Sequence, residues 1–227
     1  RLYDRDIPEV PLVVDRYADY LHIAEYERPH ERTPAEQGDW IDLMLATAGE
    51  VLEIPRSQIF FKKRIRQRGT LQHEQVAEKK KIATIEEGNL KFQVNLSDYI
   101  DTGLFLDHRT TRSLVREAAK GCRFLNLFGY TGAFTVYAID GGAAETTTVD
   151  LSQTYLDWTA RNLALNDMQG PPHRMIRSDA MSFLEGLPLD TCFDLAVVDP
   201  PTFSNSKRTE NFWEVQRDHA ALLNRVL

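Results

Sequence analysis

Cysteine is nearly absent from this chain: Cys122 and Cys192 are the two thiols among 227 residues. Two thiols make no disulfide framework, and neither stands in a zinc-binding spacing, so the sequence predicts a reducing, cytoplasmic setting. Long apolar stretches are missing too. No unbroken apolar run exceeds four residues, as in Leu43–Ala46 and Leu195–Val198. A membrane helix of about 20 residues is thereby excluded, and no apolar signal stretch opens the chain. The six histidines show no metal spacing, and no metal site is expected. What remains is an ordinary globular balance, 42% hydrophobic and 27% charged, in a chain long enough to bury a core without staples.

The net charge of −7 argues against a polyanionic partner until its distribution is read. Residues 1–60 hold 13 acids and 6 bases, residues 61–81 hold 8 bases and 2 acids, and residues 82–227 hold 19 acids and 13 bases. One short basic segment sits in an acidic chain, and local potential governs polyanion binding more than net charge does. The first residue is Arg1, and the run up to Leu227 is helix-like. We expect a piece of a longer polypeptide.

Two regimes follow one another along the chain. Residues 1–95 read as a small α+β module. It has strands at Val10–Val14 and Tyr20–Tyr26, then a helix from Pro34 to about Leu52 with Trp40, Leu43, Met44, Thr47 and Val51 on one face. A short strand Ile59–Phe61 leads into the basic run, and Glu87-Gly88-Asn89 marks a hairpin. Residues 96–227 alternate regularly. Strands are expected at Arg123–Phe128, Glu145–Val149, Arg174–Arg177 and Phe193–Val198. Helices are expected at Arg112–Ala119, Gly132–Ile139, Gln153–Leu165 (capped by Ser152, with Leu156, Ala160, Leu163 and Ala164 buried), Ala180–Leu187 and Glu210–Leu227. This alternation predicts an α/β fold, a doubly wound, mostly parallel Rossmann-like sheet that is incomplete at Leu227.

In such sheets ligands bind beyond the carboxyl ends of the strands. After the first strand stands Asn126-Leu127-Phe128-Gly129-Tyr130-Thr131-Gly132, whose glycines permit close backbone approach and open a helix that favours an anionic group. The turn is not G-x-G-x-x-G, which weighs against a dinucleotide. After the second strand comes Asp150, 24 residues past Asn126 and suited to both ribose hydroxyls. After the third comes Asp179, suited to an adenine amino group, and after the fourth Asp199-Pro200-Pro201-Thr202-Phe203. Each has a plainer reading: a packing turn, two helix caps and a helix-avoiding turn. Their recurrence at successive strand ends points to an adenosyl ligand.

This strand-end pattern resembles the class I S-adenosylmethionine-dependent methyltransferases. The strings Asn95 to Arg109, Asn126 to Gly132 and Asp199 to Lys207, with Arg1 to Asp4 and Val14 to Asp19, resemble the C-terminal half of the bifunctional 23S ribosomal RNA guanine methyltransferases. The resemblance implies S-adenosylmethionine as cofactor and 7-methylguanosine in 23S ribosomal RNA as product. It also implies a covalently linked N-terminal half making N2-methylguanosine. Gly129 departs from the family, which usually carries serine there.

Guanine N7 exposes a lone pair, so methyl transfer to it needs in-line positioning rather than a strong base. The carbonyls of Asp199 and Pro200 are expected to accept from the guanine edge, with Pro200 and Pro201 fixing the loop, and Phe203 to stack on a flipped base. By resemblance Thr102 to Arg109 folds over the methionine end of the cofactor, where Arg109 pairs with its carboxylate and Phe105 packs on it, and Asn126, Phe128, Tyr130, Thr131 and Gly132 bind the cofactor from the glycine turn. Phe105 and Phe203 also read as core aromatics, and Arg109 as a surface ion pair. Lys62, Lys63, Arg64, Arg66 and Arg68, with Lys207, are candidate RNA-phosphate contacts or a solvated charged surface. The alternatives are a 5-methylcytosine or exocyclic-amine methyltransferase, and a non-catalytic RNA-binding module. The first needs a cysteine nucleophile, and both cysteines precede strands, on the wrong side of the sheet.

Overall fold

A computed structural model describes residues 1–26, 28–64, 81–97, 101–188, 190–201, 203–204 and 213–227, without the side chains of 203, 204 and 213. The chain divides into two units, Arg1–Ile85 with Asn95–Thr102, and Glu86–Val94 with Gly103–Leu227.

In the first unit β1 (Tyr3–Asp4), β2 (Leu12–Tyr17), β3 (Tyr20–Tyr26) and β4 (Ile59–Arg64) form a sheet in that order. The first three are antiparallel, and β3 runs parallel to β4. A parallel pair needs a crossover, and α1 (Pro34–Val51) supplies it. Thr33 and Glu36 close a capping box at its start, with Pro34 in the first turn. The helix buries Leu45 against Leu12, Val14, Leu21, Ile23 and Ile59, with Trp40, Ile41, Met44, Ala48 and Leu52 beside it. The expected face shares only Trp40 and Met44 with this set. Leu43, Thr47 and Val51 are exposed, because the i, i+3, i+4 stripe through Ile41, Leu45, Ala48 and Leu52 is the one that meets the sheet.

Strands β5 (Ile82–Glu87) and β6 (Leu90–Asn95) form a two-stranded sheet, and Asn89 and Gly88 take the positive φ values (67° and 61°) that their tight turn requires.

In the second unit α2 (Arg109–Ala118), β7 (Arg123–Leu127), α3 (Ala133–Asp140), β8 (Glu145–Asp150), α4 (Gln153–Leu165), β9 (His173–Arg177), α5 (Ala180–Glu185) and β10 (Leu195–Val198) alternate as the sequence predicts. The four strands are all parallel, in the order β10-β7-β8-β9. The chain winds outward from β7 to β9 and returns to the other side of β7, so the direction of winding reverses between β7 and β10. Apolar residues cover both faces: Leu125, Leu127, Val149 and Leu222 on one, Val115, Phe124 and Ala138 on the other. Two expectations are corrected. Helix α2 begins three residues early, continuing the 3-10 turn Leu106–His108. Strands β11 (Phe203–Ser204) and β12 (Trp213–Glu214) pair antiparallel, so the last helix, α6 (Val215–Val226), starts five residues later than its polar periodicity suggests.

Helix α4 also differs from its expected buried face. Ala164 is exposed, while Thr159 and Asn162 are fully buried. They are satisfied by backbone: Asn162 accepts from the Gln93 N–H at 2.8 Å, and Asn166 donates to the Lys91 carbonyl (2.7 Å) and accepts from its N–H (2.8 Å). The Trp158 indole donates to the Gln93 carbonyl at 3.0 Å. These side chains thus occupy the outer edge of β6 as a neighbouring strand would.

Candidate active site

Because β7 to β10 are parallel, their carboxyl ends lie along one edge, and four sequence-predicted segments gather there. The turn after β7 is tightly coiled, with Phe128 (φ 58°), Tyr130 (φ 48°) and Gly132 (φ 74°) in the left-handed region. At Gly132 both the backbone and the space demand glycine: a Cβ there would lie 2.3 Å from the Thr159 methyl. The turn is pinned from several sides. Thr159 donates to the Tyr130 carbonyl (3.1 Å) and Asn162 to the Thr131 carbonyl (2.8 Å). Asn126, buried at the end of β7, donates to Thr135 (3.0 Å), which shares a hydrogen bond with Thr148 (2.7 Å). Asn126 therefore supports the turn from below.

Asp150 ends β8 and accepts from the Tyr130 N–H (2.9 Å) through Oδ2 and from the Ser152 N–H (2.8 Å) through Oδ1. Ser152 stands at the N-cap of α4 without a side-chain capping bond, and Asp150 satisfies the N–H of that N-cap residue. Asp179 is the N-cap of α5, its Oδ1 accepting from Met181 and Ser182 N–H at 3.0 and 3.1 Å. Asp199 follows β10, exposed, with Pro200 half-buried and Pro201 exposed behind it.

The segment before α2 lies over the same turn. The Gly103 carbonyl accepts from Thr131 (2.6 Å) and the Phe105 carbonyl from Arg112 (2.8 Å). Phe105 is exposed, its ring 5.4 Å from Tyr130, which in turn packs edge-on to Tyr155 at 4.6 Å. Arg109 is exposed at the first position of α2. Sequence reasoning missed three residues here. Arg112 is fully buried, with Glu87 at 2.6 Å, and Trp158 walls Gly103. His108 lies with Nε2 3.7 Å from Asp199 Oδ2. The string Asp107-His108-Arg109 was the available signal for the last.

Cys122 stands just before β7 and Cys192 just before β10, at the opposite edge of the sheet, so neither can reach this crevice. Of the basic run, Lys62 is buried and Lys63 is exposed, as strand alternation dictates, while Arg64 pairs with Asp101 at 2.7 Å and lies over the Tyr26 ring. Phe203 pairs through its backbone with Glu214. Its side chain, and Arg66, Arg68 and Lys207, lie outside the described residues.

Residues 46–226 match the family of S-adenosylmethionine-dependent methyltransferases. The chain belongs to this family. As a methyltransferase of this kind it uses S-adenosylmethionine. The residues present fit that cofactor: a glycine turn at the switch point, an acid at the end of β8 that already grips that turn, and an exposed arginine at the start of α2. The chain is 47% identical, over its full length, to the ribosomal RNA large subunit methyltransferase K/L of Methylococcus capsulatus, and spans 31% of that protein. It is 46% identical to the ribosomal RNA large subunit methyltransferase K of Neisseria meningitidis serogroup B, with 99% of this chain and 64% of that one covered. Among solved structures, the methyltransferase SMU.776, complexed with SAH, superposes with a TM-score of 0.76 at 25% identity, over 95% of this chain and 54% of that one. A methyltransferase from Agrobacterium tumefaciens shares the fold, with a TM-score of 0.69 at 21% identity over 95% of this chain and 65% of that one. Among the described residues no helix is long and apolar enough to cross a membrane.

Proposed function

We propose that this chain transfers the methyl group of S-adenosylmethionine to N7 of a guanine in 23S ribosomal RNA, forming 7-methylguanosine in the cytoplasm. It is joined in the full-length protein to a second half that forms N2-methylguanosine. The observation that carries the reading is the juxtaposition, across the switch point between β7 and β10, of the glycine turn and the Asp199-Pro200-Pro201 loop. The names of the relatives, and the threefold greater length of the K/L protein, support it.

The cofactor supplies an electrophilic methyl on a sulfonium. The chain has to hold the acceptor in line with it. N7 needs no deprotonation, so Asp199 acts as an orienting acceptor with the carbonyl of Pro200, and the prolines keep competing N–H donors out of the loop. Phe203 is the stacking platform for the flipped base. Asp150 holds the ribose, Asp179 the adenine amino group, and Arg109 the carboxylate of the methionine end beside Phe105, Phe128, Tyr130 and Thr131. Residues 1–95 face the RNA and residues 96–227 carry the transferase. Exposed Lys63, with Arg64, Arg66, Arg68 and Lys207, contacts phosphates, while Lys62 is turned inward on the same strand.

The test is methyl transfer to unmodified 23S RNA by the full-length protein, read by nucleoside mass spectrometry. Wild type should form 7-methylguanosine, and Asp199→Ala should lose it while N2-methylguanosine persists. Formation of 5-methylcytidine or N6-methyladenosine without 7-methylguanosine overturns the reading.

A further inference from the structure

We propose that His108 is a positioning residue for Asp199. It fixes the rotamer of that carboxylate through Nε2 and leaves Oδ1 aimed at the acceptor base. The inference rests on the function proposed above and deepens it.

The imidazole is itself held in place. It ends the 3-10 turn Leu106–His108 and is the N-cap residue of α2. Its ring stands edge-on to Phe105, at 6.4 Å and 78°, and to Phe134, at 5.7 Å and 70°. Phe134 is the second residue of α3, directly behind the glycine turn. Two aromatic walls, from the segment before α2 and from α3, thus set the plane of the ring and turn Nε2 toward Asp199 Oδ2 at 3.7 Å. At that separation the two groups are in contact but not hydrogen-bonded, and catalytic contacts of this kind shorten to hydrogen bonds when substrate and cofactor fill a site.

Asp199 needs such a partner. It is exposed on a loop after β10, and its carboxylate makes no other ion pair among the described residues. Unassisted, an exposed aspartate samples several rotamers, and an acceptor that must register a base edge loses effectiveness with each. A neutral imidazole with its proton on Nε2 donates to Oδ2 and leaves the carboxylate its negative charge. The contact links two segments at the crevice, the one before α2 and the one after β10, and the Phe134 ring ties both to α3.

The test uses His108→Gln, which keeps a donor, and His108→Leu, which keeps the bulk without one. With the full-length protein His108→Leu should lower kcat/KM for RNA about tenfold, the scale of one hydrogen bond to a charged group. Its dissociation constant for S-adenosylmethionine should stay within twofold. His108→Gln should recover most of the loss. Equal impairment of both variants, or a parallel loss of cofactor affinity, would mean that the ring only packs, and overturns the proposal. A second readout does not depend on turnover. With the ring neutral, ring-nitrogen NMR should show the Nε2–H tautomer of His108 in larger excess than in free histidine, where it already predominates. Asp199→Asn should shift that ratio, and an unchanged ratio overturns the pairing. Should the wild-type protein methylate a different base, the substrate reading fails while the tautomer ratio still decides whether His108 and Asp199 are paired.

Discussion

The backbone N–H of Tyr130 donates to Oδ2 of Asp150 at 2.9 Å, so the acid that ends β8 grips the glycine turn that follows β7. One carboxylate therefore shapes the turn and faces the crevice. Asp150→Asn keeps one acceptor oxygen and should weaken S-adenosylmethionine binding about tenfold. Asp150→Ala strands two backbone donors and should weaken it further, at a further cost of about 1–3 kcal/mol in stability. Calorimetry and urea unfolding separate the two effects. An unchanged dissociation constant in Asp150→Ala removes the residue from the cofactor site.

Gly129 is constrained by space rather than by backbone conformation. A Cβ there would lie 2.3 Å from the Thr148 methyl, and Thr148 cannot turn that methyl aside without breaking its hydrogen bond to Thr135. Gly129→Ser should therefore destabilise this chain by about 1–3 kcal/mol. Gly129→Ser with Thr148→Ser removes the methyl, keeps the hydroxyl, and should recover most of the loss. The check is a pair of melting curves. A fully stable Gly129→Ser single variant would show that the turn has slack.

The strand ends were legible in the sequence because short β-branched and apolar runs, glycine turns and acids at helix starts are local signals. Asn126, Asp150 and Asp199 all fall along one edge of the sheet for that reason. Polar groups inside were not legible. Arg112 reads as a surface residue until Glu87, 25 positions away, is brought to it, and Asn162 reads as solvated until it caps the edge of β6. Lys62 was read with its basic neighbours, yet alternation along β4 turns it inward. Long-range partners, not propensities, decide such cases.

Arg112 is 1% exposed and its Nη2 lies 2.6 Å from Oε1 of Glu87, which also accepts from the Tyr137 hydroxyl at 3.0 Å. Removing one partner leaves a buried uncompensated charge, so Arg112→Met or Glu87→Gln alone should cost about 3–5 kcal/mol, and the double variant less than the sum. Burial, then the Glu87 charge, pushes the Tyr137 phenol up to about 12. An unfolded tyrosine ionises near pH 10, so this stabilising contribution is complete below pH 10 and is lost as pH rises through about 12. Tyr137→Phe should flatten the alkaline limb of stability against pH. A limb unchanged in that variant assigns it to other groups.

His22 sets the acid side. It is 3% exposed on β3, and its Nε2 has no hydrogen-bond partner among the described residues. Burial, reinforced by Lys62 and Arg64, pushes the imidazole down to about 3. The unfolded chain takes up a proton there near pH 6.5, whereas the folded chain does not until about pH 3. The stabilising contribution is therefore complete above pH 6.5 and falls by about 1.4 kcal/mol per unit as pH drops through that window. Burial also lowers His173, in the second unit, which adds to the same trend. His22→Leu should make the urea midpoint less sensitive to pH between about 6.5 and 4.5, before most carboxylates titrate. An equal slope in wild type and variant would show that the imidazole is hydrated when folded, and that the positive charge beside it does not reach the ring.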